Sequence, residues 1–154
     1  MSRRGRTAVF ALGLALLSFP VIVGLQAWHH RQLCGAAGCT QGWLAPADWI
    51  FAAVSSLAML LGGIMAARSA PVGGFLSRVL GLLIRALLVA FPAAALAFAF
   101  LPALVQGPAM LGLLPIAFGG ALFVGVGKYG VAALVVTALW SMVYAGFERR
   151  VEAR

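Results

Sequence analysis

The two cysteines and the two histidines of this chain lie in one short stretch, WHHRQLCGAAGC, which holds His29, His30, Cys34 and Cys39. A cysteine pair so placed suits an oxidising compartment, where the two thiols join as a disulfide. Gly35 and Gly38 give the intervening chain the freedom to bring the sulfurs to bonding geometry. Two uses of such a bond are open. One is a staple across a loop too short to own a core. The other is thiol–disulfide exchange, which needs surroundings that stabilise a thiolate. Imidazole nitrogen and thiolate sulfur also suit zinc or copper. Adjacent histidines point in different directions at a helix end, however, so His29 and His30 are weak metal candidates, and a polar helix boundary is the plainer reading.

A second set of candidates lies in the apolar segments. Arg85 is the most interior charge, and an ionisable side chain inside a membrane segment is a candidate functional group. Its long stem also lets it snorkel back to the headgroups from seven residues past Arg78. Thr137, Ser141, Tyr144 and Glu148 recur at spacings of four, three and four, which makes one polar stripe on a helix, expected to face the bundle and to bring Glu148 near Arg85. Gly62, Gly63 and Ala66 form a small-residue surface, and the segment holding Gly119 and Gly120 is similarly smooth. Small residues let helices approach closely, within one chain or between chains. No glycine-rich nucleotide loop and no H-E-x-x-H occurs. With three acidic residues, Asp48, Glu148 and Glu152, paired-carboxylate catalysis has almost no material. No catalytic residue and no cofactor is expected.

The elements that must position these groups follow from composition. Of 154 residues, 64% are hydrophobic and 9% charged, whereas soluble domains carry about 25% charged residues. A small soluble fold cannot bury that much apolar surface, so lipid must cover it. The net charge of +8 sits at the ends of apolar runs and reads as membrane orientation rather than nucleic-acid binding. Ten of the eleven basic residues are arginine, a bias that points to a GC-rich bacterial genome. Residues 7–28 form a first span, too long for a signal-peptide core; an outer loop covers 29–48 and a second span 49–67. An inner loop, 68–78, contains Pro71, Gly73 and Gly74, and a third span, 79–105, contains Pro92.

The last third permits two layouts, because 109–127 and 131–147 are each uncharged and long enough to cross. With four spans, nine arginines face the cytoplasm and only Arg31 and Lys128 face out; with five, the division is seven against four. The positive-inside rule favours four. The expected fold is therefore an all-α, single-domain bundle of four transmembrane helices with both termini cytoplasmic, in a bacterial inner membrane. Its fourth span is 129–147 and its inner tail 148–154. Segment 106–128, rich in glycine and carrying Pro108 and Pro115, becomes an outer re-entrant or interfacial element. Trp28, Trp43 and Trp49 are expected at the periplasmic interface, and Trp140 and Tyr144 at the cytoplasmic one.

Four helices, cytoplasmic termini and a cysteine pair after the first helix together resemble the DsbB-type quinone reductases that generate disulfides. That resemblance implies electron relay from Cys34 and Cys39. The chain departs from the family's pattern in two respects: four residues rather than two separate its cysteines, and 106–128 lacks the second cysteine pair. The leading expectation is a small accessory or scaffold subunit that works by helix packing, its partner another membrane protein or a second copy, with no nucleic acid. The alternatives are a small transporter or channel using 106–128, and a periplasm-facing thiol redox protein.

Overall fold

The computed structural model describes residues 3–34, 46–69 and 73–152. Among them the regular elements are all helical: α1 (Arg3–Cys34), α2 (Pro46–Arg68), α3 (Phe75–Gln106) and α4 (Leu114–Glu152), with a 3-10 turn, Pro108–Leu113, between the last two. Four stretches, Arg4–Gln32, Pro46–Arg68, Phe75–Gln106 and Pro108–Arg150, are long and apolar enough to cross a membrane. The chain is thus a multi-pass membrane protein with four candidate spans.

Contacts between the helices fix their register. α1 and α4 run antiparallel: Arg6 meets Glu148 at 3.8 Å, the Phe10 and Tyr144 rings lie 4.9 Å apart, and Lys128 Nζ donates to Gln26 Oε1 at 3.4 Å. α3 meets α4 through Arg78 and Glu148 at 3.9 Å. On α2, Phe51 stacks on Phe98 of α3 at 4.7 Å and lies 4.9 Å from the Tyr129 ring. This ladder aligns residues 6–26, 48–68, 78–98 and 128–148. Each stretch advances twenty residues, about 30 Å at a rise of about 1.5 Å per residue, which matches a bilayer's hydrocarbon core. Arg6, Arg68, Arg78, Glu148 and Arg149 therefore gather at one end, the arginine end, and Gln26, His30, Asp48 and Lys128 at the other, the far end.

Small residues bring the helices together. A Cβ added at Gly62 would lie 2.4 Å from the Ala86 carbonyl oxygen, and one at Gly63 would lie 2.8 Å from Ala11 Cα. α2 therefore touches α3 and α1 nearly backbone to backbone, and Ala66 is fully buried on the same helix. Without a hydrophobic drive between helices in lipid, such contacts hold the bundle by dispersion over close-fitting surfaces. Gly13 of α1 does the same for an aromatic ring: Trp140 fills the space where its Cβ would be, and Trp140 Nε1–H donates to the Phe10 carbonyl at 2.8 Å. Trp140 and Tyr144 accordingly pack against α1, because an indole N–H inside the bundle needs an acceptor. Trp28 and Trp49, by contrast, are exposed at the far end, and Trp43 lies outside the described residues.

The segment 106–128 is mostly α4 itself. Helix starts at Leu114 and runs for 39 residues without interruption through 129–147, about 58 Å in all. Pro115 is tolerated because the first turn has no intrahelical acceptor for its missing N–H. The break falls earlier, at Gly107, where φ is 101° and ψ 171°. That conformation belongs almost wholly to glycine. Gly107→Ala is expected to lower stability by about 1–3 kcal/mol, measurable as an earlier unfolding transition in detergent.

Candidate functional site

Two features of the far half stand out, a cavity and an uncovered helix face. The cavity has a volume of about 70 Å³ and is walled by all four helices, among them Ile22, Phe51, Met59, Phe91, Phe98 and Val136. Its lining is almost entirely apolar, with Ser18, Ser55 and Tyr129 as the polar exceptions. Ser18 Oγ already donates to the Leu14 carbonyl at 2.7 Å, an i−4 bond that spares its hydroxyl from being buried alone. Above the cavity lies a polar cap. His30 Nε2 and Asp48 Oδ2 are 2.8 Å apart, joining α1 to α2, while Lys128 reaches Gln26 and sits 5.2 Å from the Tyr129 ring centre. The cap closes the bundle's far end with charge-assisted contacts, which are stronger where water is scarce.

The uncovered face belongs to α4 between Leu114 and Lys128. Ile116, Gly120, Phe123, Gly127, Val131 and Leu134 follow one another at spacings of four, three, four, four and three, which places them on one stripe. All six are exposed, Phe123 at 83% and Ile116 at 75%. A Cβ added at Gly112, Gly119, Gly120, Gly125 or Gly127 would meet nothing within 4 Å. The two glycine sets that look alike in sequence are therefore used differently. Gly62 and Gly63 are consumed by packing inside the chain, whereas the smooth α4 surface is not. At the same height α1 presents His29, His30, Arg31 and Gln32, so a polar flank and an oily flank stand side by side.

The other candidates separate as follows. The stripe Thr137, Ser141, Tyr144 and Glu148 does face the bundle, with Thr137 and Ser141 fully buried, and Tyr144 O–H donates to Glu148 Oε1 at 3.0 Å. Glu148 is met by Arg6 and Arg78, and no contact joins it to Arg85 among the described residues. α1 ends on Cys34, whose side chain, like the whole of Cys39, lies outside the described residues. Among the described residues no three of His, Cys, Asp and Glu cluster as a metal would require. His30 pairs with Asp48. That pairing and the Lys128–Gln26 bond were not anticipated from sequence. The only signal was the appearance of a lone amide, Gln26, and a lone carboxylate, Asp48, at the edges of two apolar runs.

Compared with models of known protein families, with curated proteins and with solved structures, the chain matches none.

Proposed function

We propose that this chain is a small accessory or scaffold subunit of a membrane complex, which lays the glycine-lined outer part of α4 against another membrane protein. The bilayer is a bacterial inner membrane, with the arginine end and both termini on the cytoplasmic side. The observation that carries the reading is the contrast between the glycines. Gly62 and Gly63 are filled to contact by their own chain, while Gly119, Gly120 and Gly127 have nothing within 4 Å. Glycine weakens a helix by about 1 kcal/mol relative to alanine, so a run of them on an unfilled face is costly unless something approaches closely. Phe123 and Ile116 flank those glycines with apolar surface, and the stripe they share continues past the polar cap, where the height of His29 and Arg31 marks the edge of the oil.

Purification in a mild detergent tests the proposal. A complex larger than the 16.0 kDa chain, made either with a different protein or with further copies, is the expected result. A solitary monodisperse monomer from gently solubilised native membranes contradicts it.

A second reading, a small transporter, draws on the four-helix cavity beneath the cap. That space, about 70 Å³, has room for several waters, but its lining is almost entirely apolar and carries no charged side chain, so the accessory role is preferred.

A further inference from the structure

Independently of the accessory role, we infer that Arg85 is the centre of a binding site for a phosphate oxyanion between α3 and α4, near the arginine end. Arg85 Nη1 is buried and has no hydrogen-bond partner, and the same is true of Ser141 Oγ and Thr137 Oγ1. Both hydroxyl residues are fully buried, at 0% exposure. A guanidinium nitrogen withdrawn from water without a partner is costly to a half-buried arginine, and two orphaned hydroxyls on the facing helix add to that cost. Groups this expensive to leave unmatched point to a ligand that matches them.

The register lines them up along one seam between α3 and α4. Arg78 on α3 meets Glu148 on α4 at 3.9 Å, and the helices are antiparallel. Seven residues is nearly two helical turns, which returns to the same face. Moving seven residues inward from Arg78 reaches Arg85, and moving seven inward from Glu148 reaches Ser141; Thr137 lies one further turn along the same stripe. Both steps advance about 10 Å from the arginine end. The side chain of Arg85 tilts toward the N-terminus of α3, which carries the guanidinium back toward the headgroup layer. Its own helix presents exposed Ile84 and Leu88 beside it, so the site borders the lipid.

The ligand's charge follows from the balance of the end. Arg6 and Arg78 share Glu148, each at 3.8 Å or more, and Arg85 is left as surplus cation. An arginine fork and the nearer hydroxyl, Ser141, suit a phosphate oxyanion, which accepts on several oxygens at once. Two sources supply one: the phosphodiester of an anionic phospholipid entering from the bilayer, or free phosphate entering from water.

The test is thermal unfolding of the full chain in a neutral detergent, titrated with phosphatidylglycerol, with a diacylglycerol of the same acyl chains, and with inorganic phosphate. The expected result is a saturable rise of several degrees with phosphatidylglycerol and none with diacylglycerol. A rise with inorganic phosphate alone assigns the same site to the free ion. Arg85→Met is expected to remove the rise and, in ligand-free detergent, to melt no lower than the parent, because the unmatched cation is gone. Ser141→Ala is expected to fold normally and to weaken half-saturation severalfold. The inference is overturned if neither phosphate source raises the transition, or if the rise survives in Arg85→Met. Failure of Arg85→Met to fold without ligand would equally overturn it, and so would an unchanged half-saturation in Ser141→Ala.

Discussion

Gly62→Ala is expected to destabilise the bundle by about 1–3 kcal/mol, while the same substitution at Gly120 stabilises it by up to about 1 kcal/mol. The new methyl at position 62 would lie 2.4 Å from the Ala86 carbonyl oxygen and 3.1 Å from the Ala90 side chain. A carbonyl oxygen in a helix cannot swing aside as a flexible side chain can, so α2 and α3 must separate. Separation forfeits dispersion along the whole contact, because even a gap of about 0.5–1 Å loses a quarter to a half of each atomic well. At Gly120 the methyl meets open space, and only the helix propensity of alanine over glycine remains. Unfolding titrations of the two variants in mixed micelles check the signs. Equal effects at both positions would mean that α2 and α3 are not in close contact at this level.

Gly120→Trp, combined with Gly127→Trp, is expected to leave the fold intact and to reduce recovery of the assembled complex by an order of magnitude or more. A Cβ at Gly120 or Gly127 meets nothing within 4 Å, so the indoles cost the isolated bundle little. Against a partner helix they prevent close approach, and loss of a few kcal/mol of packing corresponds to roughly a hundredfold in association. The measurement is the fraction of chain that migrates in the complex after mild solubilisation, set beside its unfolding transition. A double variant that assembles as well as the parent would show that the α4 face looks onto lipid.

The four spans were legible because each apolar run and its flanking arginines obey simple physics: charge resists crossing oil, and about twenty residues cross it. Fold class and the inward turn of Thr137, Ser141 and Tyr144 followed from a 3.6-residue period. What sequence could not supply was the difference between one glycine pair and another. Gly62 and Gly119 sit in similar neighbourhoods along the chain, and only the partner across the interface tells them apart. The extent of α4 was hidden for a related reason. Pro115 and the glycines after it argue against helix by local propensity, yet proline in a first turn is harmless, and contact with α3 sustains the helix beyond it. Arg85 stands out in sequence as the most interior charge, but its expected neighbour, Glu148, is held by Arg6 and Arg78. Register, not composition, decided that.

The most direct test places a photo-crosslinking phenylalanine analogue at Phe123, which is 83% exposed on the uncovered face, and another at Leu88, 67% exposed on α3. After irradiation of intact membranes, position 123 should yield a discrete protein adduct that disappears when Gly120 is replaced by tryptophan, while position 88 yields lipid adducts alone. Lipid adducts alone at both positions, or a protein adduct at 123 indifferent to Gly120→Trp, would contradict the assignment of α4 as the face that meets another protein.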